Sequence, residues 1–409
     1  MNSRDCFLAT MDFKKVDRHL LWEFGYWRQT IESWSREGLP VKGGSLPRES
    51  YRPGLTSSNS VGGEVAAWSE DVGVRIHWKK GAPQDLRPSD KLVHSYFSFD
   101  KGMRRIPLHS WISPPFDVEI LEENDETVVL RDEGGITRKI RKDRSCAPQF
   151  LSWPVKNRQD FERIKEERFN PESKERLPEN WKEIVEKVRA RDFPLAIGGI
   201  PCGFYGSLRF LMGEVNLLTS YYDNPDLVKD MLSFLTDFWI SLWSDVLSQI
   251  KADCAMFWED MCYNKGSLIS PGIFRQFMMP CYKKITGFLK DEGITAILVD
   301  TDGDCRELIP LFMEAGVTGL CPFEVQAGMD IVQARKRYPD LQIIGGLDKR
   351  ALTKGKEAID GELQRKLPFM LRHGGYIPTV DHLVPPDVPW EHFKYYRKRI
   401  KEISASIGI

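Results

Sequence analysis

TAILVDTDGD, residues 295–304, carries the reading of the fold. A short apolar run, Thr295–Val299, passes straight into carboxylates at Asp300, Asp302 and Asp304. The run is too short for a buried helix and reads as a buried strand. The same form recurs at Pro194–Ile200, Ala252–Trp258, Val317–Cys321, Leu341–Gly345 and Gly375–Val380. Amphipathic helical windows fill the gaps. One of them, Asn224–Ile250, opens Asn-Pro-Asp, a cap followed by Pro at the first helical position. Strands that alternate with helices predict parallel βαβ units. Two earlier candidates, Leu20–Phe24 and a segment within 92–111, would bring the strands to eight. The expected class is α/β, a (β/α)8 TIM barrel. A doubly wound sheet is the competitor, but no GxGxxG follows the first strand and there is no Walker loop.

Polar residues at the run ends support the barrel. They are Glu259-Asp260, Asp300 and Asp302, Glu324, Asp348, and Asp381-His382. Barrel enzymes build their sites on that face, from the ends of different strands. Any one of these carboxylates serves equally well as a cap for the next helix; their repetition on successive strands is what points to a site.

The 409 residues fit one barrel with insertions, and the expected unit is a single domain over 1–409. Residues 48–150 are read as an inserted loop and β-meander region. Ser, Gly and Pro crowd 48–70, and FDVEILEENDETVVLRDEGGITRKIRK (116–142) alternates apolar and polar with turn breaks, predicting a three-strand antiparallel meander in an N-terminal extension. Basic and acidic residues number 58 and 59, which removes the global electrostatic case for nucleic acid or a membrane surface. There is no apolar run of 18 residues and no apolar h-region near the start, so neither a membrane span nor a signal peptide is expected. The 8 cysteines are irregularly spaced with no CxxC, as reduced buried thiols would be, and a cytoplasmic location is expected.

The segments GSLRFLMG (206–213), VDTDGD (299–304), GGLD (345–348) and VPPD (384–387) resemble the landmarks of the uroporphyrinogen-decarboxylase superfamily. The resemblance covers roughly 190–400 and extends more loosely to EFGYW at 23–27. It implies a (β/α)8 barrel, and either porphyrinogen decarboxylation or zinc-dependent methyl exchange with a corrinoid protein. True decarboxylases carry an Arg-Gln-Ala-Gly-Arg type motif near the N-terminus. Here the comparable stretch is WEFGYWR (22–28), with one acidic residue, four aromatics and a single arginine, Arg28. A polycarboxylate needs a cationic pocket, so the resemblance is closer to the methyltransferase branch. That branch binds zinc through a His-x-Cys and a later Cys before Pro-Pro. Carried onto this chain, those ligands fall on Asp300, Asp302 and His382. All three differ in type, yet two carboxylates and an imidazole remain metal-competent. They make a harder site, for zinc or another divalent ion.

On a strand, residues i and i+2 face one side, so Asp300 and Asp302 are expected to point together into the mouth. Two such carboxylates need a cation or a shared proton. A metal would serve, and so would a partner such as Arg209 with no metal at all. Glu259 or Asp260 could complete the shell or orient His382. Catalytic roles are expected for Glu259 and for Tyr26, which could give a proton to a leaving oxygen. Substrate-binding roles are expected for Trp22, Trp27, Arg209, Glu324 and Asp348. The aromatics would wall an apolar pocket, though they fit a barrel core equally well. Cys305 is an alternative ligand that a helix after Gly303 would carry away. His19, His77, His94, His109, His373 and His392 are read as ordinary.

A carboxylate-bound cation suits an oxygen leaving group. The leading expectation is therefore a metal-dependent methyltransferase that moves methyl from a small O-methylated substrate, such as an aryl methyl ether, to a corrinoid protein. No Asp-x-His-x-x-Gly cobalamin motif is present, so the corrinoid would arrive on a separate protein. A decarboxylase of a carboxylate substrate such as a porphyrinogen is the alternative, marked by Arg28, Arg209 and neighbours converging on the mouth. A non-catalytic metal or corrinoid-partner binding protein is the second alternative. A homodimer is left open.

Overall fold

The computed structural model describes residues 1–41, 90–142, 146 and 148–408. The Ser/Gly/Pro-rich stretch read at 48–70, and His77, lie outside them.

Seven short strands form one sheet: β1 (Arg104–Arg105), β2 (Leu195–Gly198), β3 (Cys254–Trp258), β4 (Ala296–Asp300), β5 (Gly319–Cys321), β6 (Gln342–Ile344) and β7 (Tyr376–Ile377). They lie in chain order and every neighbouring pair is parallel. The apolar runs of the sequence are these strands. Parallel strands are covered on both faces and so lack a polar alternation. All five residues of β4 are buried, in register from Ala296 opposite Cys254 to Asp300 opposite Trp258. Phe257 turns outward to the helices, with the rings of Tyr282 and Trp243 at 5.4 and 6.0 Å. The helix Pro225–Leu247 brings Trp239 and Trp243, whose indole N–H groups donate to the backbone oxygen and the hydroxyl of Ser110. Each such buried apolar side chain contributes about 1.5–3 kcal/mol.

The eighth strand corrects the expectation. Leu20–Phe24 is extended but joins no ladder; only Tyr26 bridges Val384, in parallel. The segment still spans the gap between the first and last strands. Leu21 O accepts from Asp100 N–H (3.1 Å), and Gly25 O accepts from Val384 N–H (2.9 Å). Between them the fully buried Glu23 uses its side chain where a strand would use backbone. Its Oε1 accepts from Val380 N–H (2.8 Å), and Oε2 lies 3.2 Å from Arg397 Nη1. The curled sheet is thus TIM-barrel-like, with one stave held by a carboxylate.

A second, antiparallel sheet stands apart in sequence, made of Glu119–Glu123, Thr127–Arg131, Thr137–Arg141 and Gln149–Ser152 in that order. It has four strands where the alternation at 116–142 predicts three. The fourth, Gln149–Ser152, pairs with Thr137–Arg141 across a bulge. Among the described residues no helix is long and apolar enough to cross a membrane.

Candidate functional site

The carboxyl ends of β3, β4 and β7 bring Asp260, Asp302 and His382 together. His382 Nε2 lies 3.4 Å from Asp302 Oδ2. Phe24, from the closing segment, packs on the imidazole with ring centroids 5.2 Å apart. Asp302 Oδ1 is buried and accepts no hydrogen bond. Arg209 reaches in from the helix Phe204–Met212, with Nη2 2.7 Å from Asp260 Oδ2 and Nη1 donating to Asp260 O at 2.9 Å. Its guanidinium lies 4.9 Å from the centre of the Trp258 ring, which stacks on Phe210 at 5.0 Å. Burial raises the Asp260 carboxyl above its usual range; Arg209 opposes this, and the Asp302 charge adds to it.

Asp260 reaches this position through a left-handed backbone, φ 44°. That conformation is uncommon outside glycine and costs about 1–3 kcal/mol, so it persists where surrounding contacts impose it. Its neighbour Glu259 points the other way. The Glu259 carboxylate is fully buried and accepts from the backbone N–H groups of Phe204 (2.8 Å), Tyr205 (2.6 Å) and Gly206 (3.0 Å), and from the Tyr282 hydroxyl. It caps the helix that carries Arg209. Burial pushes its pKa up to about 7, against the pull of Tyr282 and those three N–H groups. Gly203 and Gly206 let this helix end touch β3: a Cβ on either would stand 2.0 or 2.3 Å from Trp258 O.

Several expected residues lie elsewhere. Glu259 is spent as a helix cap, bound to three backbone N–H groups and Tyr282. Tyr26 is fully buried among Trp34 (5.4 Å), Phe393 (5.6 Å) and His94, so it is core and no proton donor at the mouth. Trp22 is also core, stacked on Phe7, whereas Trp27 is 44% exposed at the start of a surface helix. Phe24, two residues from each of Trp22 and Tyr26, is the aromatic of this segment that packs on His382. Asp348 caps the turn Lys349–Ala351 and binds the Arg350 guanidinium, a purely local use. Glu324 lies near the site: its Oε2 accepts from Gly303 N–H at 3.2 Å. Arg28 pairs with Glu32 on its own helix and does not join Arg209. Cys305 is buried, and burial raises its thiol well above the usual range.

Asp300 separates from Asp302. The same-side rule for i and i+2 holds only while the strand continues, and β4 ends at Asp300. Asp300 remains inside the barrel, lining a small pocket with Arg105, Met256 and Trp258. The pocket adds Arg105, from the short β1, to the residues that the sequence reading missed, with Trp258 and Phe24. A pair of arginines closing a two-residue strand left no periodic signal.

The family described as uroporphyrinogen decarboxylase (URO-D) matches residues 128–403, well over half of the chain. The chain belongs to the URO-D family. A 69-residue stretch is 32% identical to uroporphyrinogen decarboxylase from Hydrogenobaculum sp. (strain Y04AAS1), covering 17% of this chain. It spans only 20% of that curated relative's length. Among solved structures, a methyltransferase from Methanosarcina mazei aligns over 98% of this chain and 99% of its own, with a TM-score of 0.56 and 13% identity. At that identity the likeness is one of fold.

The zinc implied by the methyltransferase branch of the URO-D superfamily does not fit the residues as placed. Among the described residues no three His, Cys, Asp or Glu side chains are gathered to hold one ion. Asp302 and His382 meet, Asp300 is withdrawn to the interior pocket, and the Asp260 carboxylate is held by Arg209. The expected metal triad is thereby corrected to a His–Asp pair beside an Arg–Asp pair.

Proposed function

We propose that this URO-D family member is a methyltransferase, moving a methyl group from a small O-methylated substrate to a corrinoid carried by a partner protein. The observation that carries the reading is the His382–Asp302 pair at the barrel mouth, flanked by Phe24 and by the Arg209–Asp260 pair over Trp258. The methyl–oxygen bond breaks, its carbon bonds to the acceptor cobalt using the electron pair of Co(I), and the leaving oxygen takes a proton. An ether oxygen is a poor leaving group, so the proton donor controls the barrier. His382, oriented by Asp302, is the group in this chain placed to give it. Phe24 and Trp258 offer apolar faces to an aryl ring, and Arg209 lies beside any developing negative charge. No metal is needed to move the proton.

A preparation with 2-methoxyphenol as donor and free cob(I)alamin as acceptor should form methylcobalamin, followed by its absorbance. His382→Ala should lower kcat by roughly 100- to 10,000-fold. An unchanged rate in that variant would remove His382 from the chemistry.

Decarboxylation is the second reading, favoured by Arg105 in the interior pocket and by Arg209 over the ring of Trp258, which lines that pocket. Each has an aspartate in reach of the same site, which leaves little net positive charge for a substrate with many carboxylates. Loss of CO2 from uroporphyrinogen by the purified chain would establish it. Corrinoid-protein binding without turnover of either substrate would instead support a non-catalytic role.

A further inference from the structure

Lys349 is a largely enclosed cation at the strand ends, and no role described so far uses it. Its ammonium lies 3.5 Å from Glu324 Oε1 and 3.7 Å from Asp381 Oδ1, with only 12% of the side chain exposed. The three residues follow β5, β6 and β7. Each carboxylate also grips backbone. Glu324 accepts from the N–H of Gly303, the residue after Asp302. Asp381, fully buried and immediately before His382, accepts from Val325 N–H (2.8 Å) and from Lys349 N–H (3.1 Å).

We infer that Lys349, through Glu324 and Asp381, is the positioning residue that sets Asp302 against His382. Two carboxylates from the ends of β5 and β7, on either side of β6, repel in a poorly solvated setting unless a cation stands between them. The ammonium supplies that cation. One carboxylate then fixes the turn carrying Asp302, and the other fixes the residue preceding His382. Taking away the charge leaves Asp381 buried without its cation, so the loop either shifts or admits water. A displacement near 1 Å in such a pair is enough to lower turnover by roughly 100-fold. Asp348, one residue away, serves as the internal contrast because its hydrogen bonds and ion pair go to its own turn and Arg350.

The test has two readouts. In full-length protein with labelled histidine, the His382 imidazole resonance is assigned by its loss in His382→Ala. Lys349→Met should displace that resonance while the other histidines stay in place; Lys349→Arg should restore it, and Asp348→Asn should leave it alone. If Lys349→Met does not fold, Glu324→Ala, which frees Gly303 N–H, should produce the same displacement. A folded Lys349→Met with an unmoved His382 signal overturns the inference. The second readout rests on the proposed methyl transfer: kcat should fall roughly 100-fold in Lys349→Met with KM little changed. Because the resonance is read without substrate, a displaced signal in a protein that transfers no methyl would refute the proposed function and leave the positioning role standing.

Discussion

Replacing Glu259 by glutamine tests the electrostatics beneath the site. The carboxylate accepts from three backbone N–H groups at a helix start and from the Tyr282 hydroxyl, with no exposure to solvent. Two opposed effects act on it. The helix end and its N–H groups favour the anion. Burial favours the neutral acid and dominates, raising the pKa from 4.5 to about 7. A carboxyl whose pKa is higher in the fold binds more protons folded than unfolded between those values. Its contribution to stability is therefore present below pH 4.5 and is lost as pH rises through about 7. With each pKa unit equal to about 1.4 kcal/mol, wild type should lose about 2–3 kcal/mol from this group between about pH 5 and about pH 8. Glutamine cannot titrate. It also turns an amide NH2 toward donors that the carboxylate satisfied, at about 1–3 kcal/mol for each one left unpaired. Urea unfolding followed by circular dichroism at the two pH values should show the wild-type advantage over Glu259→Gln shrinking by about 2–3 kcal/mol toward alkaline pH. The subtraction cancels every other titrating group. A constant or growing advantage would mean that Glu259 stays ionised in the fold and that the helix end outweighs burial.

Other outcomes follow from the same structure. Arg397→Met leaves the buried Glu23 without its cation and should destabilise the protein by about 3–5 kcal/mol, while Glu23→Gln with Arg397→Met should recover part of that; additive losses in the double variant would refute the pairing. Of the 8 cysteines, the exposed Cys146 should react with a thiol reagent at once, Cys281 slowly, and the six buried ones only on unfolding; rapid loss of Cys305 would contradict its burial. Chelator treatment should leave methyl transfer intact, because no three ligands converge; a loss restored by zinc would show that the ligands rearrange around an ion.

The six apolar runs from Pro194 onward were legible as strands because parallel strands buried on both faces show themselves as uninterrupted apolar segments. The short β1 and the closing segment at 20–26 were harder to read. A two-residue strand has no period, and the closing segment is held by the side chain of Glu23, a long-range contact to Val380 and Arg397. The strand-end polar residues were visible as a group, but their individual uses were not. Glu259 and Asp260 are adjacent in sequence, yet one faces a helix end and the other faces Arg209, and the left-handed turn between them has no marker in residue type.

By itself, then, the sequence determined the strand–helix alternation, the face on which polar residues gather, and the family. Each of these depends on local periodicity or on short motifs. Tertiary structure alone decided which of those polar groups meet. Asp302 joins His382 and Asp300 does not, because the strand ends between them and the chain turns. A side chain's direction beyond a strand end is set by contacts from distant segments, such as the grip of Glu324 on Gly303 and of Asp381 on the loops beside it, and those contacts exist only once the barrel has formed.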